Sequence, residues 1–128
     1  MKIRYAVALA VVAGFGLGAV AVQGLHAQAK PPVYGITEVD VTNPEGYAKE
    51  YVPRVQAGVK AAGGRLLAAG GKVTVIEGAP PKSRVVVQVW DSMDKIQAYR
   101  NSAEFKEARK IGDKVAKFRS FAVEGLSQ

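Results

Sequence analysis

Two stretches of alternating, β-branched sequence run straight into helix caps, and this constrains the fold more than anything else in the chain. VYGITEVDV at 33–41 meets Thr42-Asn43-Pro44-Glu45, and RVVVQVWD at 84–91 meets Ser92. Alternation with period two is the signature of a strand with two unlike faces. Asn43 can cap free backbone N–H groups, Pro44 suits a first helical position, and Glu45 complements the helix dipole. Each strand therefore hands over to a helix within a few residues, and the spacing predicts two strand–helix units rather than an all-β or all-α chain.

The first helix is expected from about Pro44 to Ala62. Ala48, Val52, Val55, Val59 and Ala62 share one face, and Pro53 bends it near Lys49. Gly63-Gly64 stops it. GGRLLAAGGK at 63–72 then invites comparison with a phosphate-binding loop. The G-x-x-x-x-G-K-[ST] pattern would need glycine at 66 and a hydroxyl at 73, where this chain has Leu66 and Val73. The stretch reads instead as a short strand from Arg65 to Ala69, followed by KVTVIEG at 72–78, either as one strand bent at a glycine bulge or as a hairpin with a Gly-Gly turn. After a loop at 79–83 and the strand at 84–91, Met93, Ile96 and Tyr99 share a helical face. Ser102 caps a further helix carrying Phe105, Ala108, Ile111 and Val115, and a last strand spans Phe118 to Glu124.

Strand, helix, strand, strand, helix, strand is the order of an α+β, ferredoxin-like βαββαβ sandwich, an antiparallel sheet with its helices on one face. The valine faces, Val33, Val39 and Val41 on the first strand and Val85, Val87 and Val89 on the third, are expected under the helices. Tyr34, Ile36, Glu38, Arg84, Val86, Gln88 and Trp90 are then expected on the other face. That mixture suits either a half-wet sheet or the seam of a sheet-to-sheet homodimer, and an apolar patch of about 300–600 Å² favours the dimer.

Composition narrows the chemistry. The 128 residues suffice for one domain. Residues 1–29 look like a leader: Lys2 and Arg4 precede an uncharged run to Ala29, and Ala27 and Ala29 fit cleavage, so the expectation is a signal peptide (or N-terminal anchor) ahead of a domain at 30–128. The destination is then periplasmic or secreted, with no stable membrane insertion after cleavage. The full chain carries 18 basic and 11 acidic residues. Removing the leader leaves 16 basic and 11 acidic, a net +5, but the basic residues are dispersed rather than striped, and no nucleic acid is expected as a partner. There is no cysteine, and the single histidine is His26 in the leader. Thiol nucleophiles, Ser-His-Asp triads and histidine-held metals are therefore excluded from the domain, and no cofactor is expected.

VDVTNPEGYAKEYV at 39–52, GGRLLAAGG at 63–71, VIEG at 75–78, AYRNSAEFKEAR at 98–109 and VEG at 123–125 together resemble the bacterial family called domain of unknown function 1330, in the dimeric α/β-barrel superfamily. The resemblance covers about Tyr34 to Gly125 and implies a ferredoxin-like protomer and a homodimer. Superfamily relatives include cofactor-independent monooxygenases, dehydratases and decarboxylases that use a cavity between sheet and helices. What this implies here is Tyr34 and Trp90 as stacking walls, Arg84 and Arg109 as anion holders, Gln88 beside them, Tyr99 and Ser102 as hydrogen-bond donors, and Glu38 or Tyr99 as the catalytic candidate. The expectation is an exported homodimer binding a small anionic or aromatic molecule; a cofactor-independent monooxygenase or isomerase and a purely structural dimerisation module are the alternatives.

Overall fold

A computed structural model describes residues 30–127, and the expected leader lies outside them. Pro31–Leu126 forms one unit. β1 (Val33–Val41) leads into the helical stretch α1, made of Pro44–Gly46, Tyr47–Tyr51 and Val52–Ala61, and then into β2 (Arg65–Ala69). β3 (Arg84–Trp90), α2 (Met93–Asn101), α3 (Ala103–Val115) and β4 (Ala116–Glu124) complete it. The strands form one antiparallel sheet in the order β2-β3-β1-β4, the ferredoxin-like arrangement.

The caps form where the sequence places them. The Gly46 N–H donates to Asn43 Oδ1 at 3.1 Å, Lys95 N–H to Ser92 Oγ at 3.2 Å, and Phe105 N–H to Ser102 Oγ at 3.2 Å. Pro53 is accommodated by a change of pitch. Tyr47–Tyr51 is π-helical, with the Val52 N–H donating back to the Tyr47 carbonyl, so the proline falls in the first turn of a fresh α-segment. A missing N–H costs nothing there, whereas mid-helix it would orphan a carbonyl. The wider turn also shifts the buried face: Tyr47, Tyr51, Gly58 and Val59 are buried and Ala48 is exposed, which corrects the expected stripe through Ala48.

Gly63 takes a left-handed φ of +95°, and the Gly64 N–H reaches the Val59 carbonyl at 2.9 Å, closing α1. β2 then pairs with β3 across a register shift between Leu66 and Ala68, so the irregularity falls at Leu67 rather than at the second glycine pair. Gly70, at φ +77°, ends the strand. The expected strand at 72–78 does not form within the protomer: the segment lacks regular structure, with Val73, Val75 and Ile76 exposed, Ile76 at 97%. Its alternating pattern finds no neighbouring strand to pair with, and an unpaired strand has nothing to hold it extended.

β1 and β3 pair Thr37 with Val86 and Gly35 with Gln88. Directly opposed residues point to the same side, so the odd positions of β1 share a face with the even positions of β3. This overturns the expectation for β3. Arg84, Val86, Gln88 and Trp90 face the helices beside Val33, Thr37 and Val39, while Val85, Val87 and Val89 join Tyr34, Ile36 and Glu38 outside. The interior is built from two aromatic groups: Tyr47 and Tyr51 with Val39, Ala108 and Val115, and Trp90, Tyr99 and Phe105 with Val59.

Gly64 lies against the second group, where an added Cβ would sit 2.6 Å from Trp90 Cζ2, an atom of a ring that is only 2% exposed. Gly64→Ala should therefore lower stability by about 1–3 kcal/mol through overpacking. Gly71→Ala, which meets no atom within 4 Å, should change it by less than about 1 kcal/mol. Urea unfolding of the two variants checks the difference.

Candidate functional site

Between the two aromatic groups lies a cavity of about 90 Å³, lined from the sheet by Thr37, Val39, Arg84, Val86, Gln88 and Phe118 and from the helices by Tyr47, Tyr51, Tyr99, Arg100, Phe105 and Arg109. Three guanidinium groups converge on it. No aspartate or glutamate is in its lining, and among the described residues the ion pairs involve other cations: Lys49, Lys95, Lys110 and Arg119.

Aromatic faces support the arginines where carboxylates do not. Arg84 lies 5.2 Å from the Tyr47 ring centroid, and an added Cβ at Gly70 would sit 2.7 Å from its Nη1. Arg109 lies 3.8 Å from the Phe118 centroid and 4.9 Å from that of Phe105, which also carries Arg100 at 4.6 Å. Such contacts partly offset desolvation without engaging the in-plane N–H donors. Arg109 Nε is buried with no hydrogen-bond partner among the described residues. Burial, and then the neighbouring charge of Arg109, push the Arg100 pKa down from its ordinary value. Both causes act against two cations held together in a partly dry space, and a bound anion would relieve both.

The phenols are held neutral. Burial, and secondarily Tyr51, push Tyr99 up to about 12. Burial likewise raises Tyr47, with Tyr51 adding to it, and Tyr51, where Arg109 pulls the other way. At neutral pH the site thus offers cationic forks and hydroxyl groups, with no imidazole and no carboxylate in its lining.

The residues singled out from the sequence divide between two faces and a cap. Arg84, Gln88, Tyr99 and Arg109 meet at the cavity. Trp90 is in the second aromatic group, 5.5 Å from Tyr99 between centroids, and its Nε1–H donates to Gln88 Oε1 at 2.9 Å. Ser102 is occupied by the helix junction: its hydroxyl donates to the Tyr99 carbonyl at 2.6 Å and accepts from Phe105 N–H. Glu38 lies on the outer face, where its carboxylate accepts from Arg119 Nη1 at 2.5 Å; its pairing is with β4 and not with Arg84. Tyr34 lies outside too, opposite Val89 and Val123. Tyr47, Tyr51, Arg100, Phe105 and Phe118 are cavity residues that the sequence reading did not select. The i, i+4 pair Tyr47–Tyr51, continued by Val55, was the legible signal for the first two.

The chain belongs to the family described as domain of unknown function (DUF1330), which matches residues 32–126. No curated protein matches it significantly. Among solved structures it is similar to a protein of unknown function from Rhodopseudomonas palustris, at 14% identity and a TM-score of 0.63 over 84% of this chain and 94% of that one. It is also similar to SnoaB, a cofactor-independent oxygenase from Streptomyces nogalater, at 12% identity and a TM-score of 0.56 over 77% and 96% of the two chains. A third similar structure is the Arabidopsis thaliana hypothetical protein solved in solution, at 16% identity and a TM-score of 0.56 over 78% and 93%. At these identities the likeness is one of fold.

The tyrosine environment has an alkaline consequence. Burial holds Tyr99 up to about 12 in the folded protein, against the ordinary tyrosine value of 10.0 in the unfolded chain. Between these values the native state holds the proton that the unfolded state has lost, so the stabilisation present below pH 10 disappears as pH rises from 10 to 12. Tyr99→Phe should flatten that part of the stability profile and remove a late component from the 295 nm tyrosinate titration.

Proposed function

We propose that this protein is an exported homodimer that binds a small organic anion in the cavity between its helices and its sheet. The observation that carries the reading is the convergence of Arg84, Arg100 and Arg109 on one aromatic-walled space whose lining contains no carboxylate. Guanidinium forks suit the planar, bidentate geometry of a carboxylate, and the neutral phenols of Tyr47, Tyr51 and Tyr99 can donate to its remaining lone pairs. Binding is favoured over turnover because the lining supplies no carboxylate or imidazole to accept a proton. Arg109→Gln should weaken propanoate or benzoate binding at least about tenfold, the scale of a charge-assisted hydrogen bond, in isothermal titration of folded protein. Undiminished binding in that variant would remove the cavity from the reading, and oxygen uptake or product formation with quinol-like compounds would convert it to an oxygenase.

The outer sheet face supports the dimer. Val85, Val87 and Val89 lie beside Tyr34, Ile36 and the exposed Phe121 and Val123, and the Glu38–Arg119 pair leaves the patch nearly neutral. A second copy of the same face is its simplest complement, since an apolar patch with self-cancelling charge has no repulsion to overcome. Val87→Asp should shift sedimentation from dimer to monomer while leaving far-UV circular dichroism unchanged; a monomeric wild type at micromolar concentration would rule the dimer out. Export is supported by Lys2 and Arg4 ahead of an uncharged run, and a mature N-terminus after Ala27 or Ala29 is the expected result of sequencing the native protein.

A further inference from the structure

A second cavity, of about 340 Å³, adjoins the arginine cavity on the same side of the sheet. The two have Thr37, Gln88, Tyr99, Arg100 and Phe105 in common as lining. Thr37 and Gln88 belong to the sheet, so the floor runs from one cavity into the other. Tyr99, Arg100 and Phe105 stand over that floor from α2 and α3. Beyond them the second cavity is walled by Trp90, Met93, Ile96 and Ala122, and Arg100 is the one charged residue in its lining.

Each cavity lacks what the other has. The arginine cavity concentrates positive charge but falls well below the range of about 300–1,000 Å³ usual for organic ligands. The second cavity falls within that range, but its polar groups are mostly engaged already. Gln88 Oε1 accepts from Trp90, and the Thr37 and Ser120 hydroxyls bond to each other at 2.9 Å. What remains besides Gln97 is an apolar trough with a cation, Arg100, where the two cavities meet.

We propose that the two cavities form one bipartite site for an amphipathic monocarboxylic acid, with the carboxylate at Arg84, Arg100 and Arg109 and an apolar chain or ring lying over the sheet floor toward Trp90, Met93 and Ile96. Arg100 marks the junction. It lines both spaces, so a headgroup held by it starts the tail in the second cavity. The inference rests on the anion-binding reading above and adds the tail to it. It accounts for the uneven division of polarity between two spaces with a shared floor.

Trp90 is the chain's single tryptophan, and its emission therefore reports occupancy of the tail cavity directly. Full-length mature protein is titrated with acetate, butanoate, hexanoate and octanoate at constant ionic strength, by calorimetry and by Trp90 fluorescence. Affinity should rise about fourfold for each added methylene, the equivalent of about 0.8 kcal/mol of burial, until the trough is full. Octanoate should shift the emission, and acetate should leave it unchanged. Met93 is 39% exposed, so Met93→Asp should keep the wild-type far-UV circular dichroism and should abolish the gain with chain length. Octanol should bind far more weakly than octanoate.

The failures separate. Equal affinity for acetate and octanoate, both lost in Arg109→Gln, would overturn the bipartite site and leave the anion reading standing. Octanol binding as tightly as octanoate would overturn the acid as the ligand class. No binding of any carboxylate to the folded protein would overturn both readings together.

Discussion

Antiparallel pairing of Thr37 with Val86 places the even residues of β3 on the same side of the sheet as the odd residues of β1, and the character of both faces follows from it. Side chains on a strand alternate, so a slip of one residue would exchange every β3 side chain between interior and exterior. In the observed register, Arg84, Gln88 and Trp90 enter the interior. Three valines go to the outside and make that face apolar. A polar pocket inside and an apolar face outside are thus two results of one pairing.

An interior containing Arg84, Arg100 and Arg109 without a carboxylate is costly, because desolvation and mutual repulsion both oppose it. The depressed Arg100 pKa records that cost. Aromatic rings lower it: Phe118, Phe105 and Tyr47 lie against the three guanidinium groups and keep the cations from needing water on every side. The rings also explain why the cavity persists. Tyr51 rests on Gly112, where a Cβ would lie 2.7 Å from its ring, and Phe118 is 5.2 Å from Tyr51 between centroids. Large rings braced on one another leave a gap that no small side chain closes.

Much of the fold was legible. The caps at Asn43, Ser92 and Ser102, the stop at Gly63-Gly64 and the order of elements are local matters, decided by hydrogen bonding and φ preferences within a few residues. The buried stripe of α1 was not, because the π-helical turn that accommodates Pro53 rotates Tyr47 and Tyr51 inward and Ala48 outward. Nor was the fate of 72–78: an alternating pattern shows that a segment can pair, not that a neighbouring strand is present. Of the site, Arg84, Gln88, Tyr99 and Arg109 were reached through resemblance. Phe105 was legible as part of an apolar helical face with Ala108, Ile111 and Val115 but not as a site residue, and Arg100 gave no periodic cue.

The sequence by itself determined where the helices and the four sheet strands lie, the α+β class, and the exclusion of thiol, imidazole-triad and histidine-metal chemistry from the domain, since each depends on residue type or on neighbours in the chain. Tertiary structure alone decided the two faces of the sheet. Val85, Val87 and Val89 are as fit for a core as Val86 and Trp90 are, and hydrophobicity could not choose between them. Pairing with β1 did, because register is set by contacts between residues almost fifty positions apart, and it carried Arg84 beneath the helices while leaving Glu38 on the opposite side.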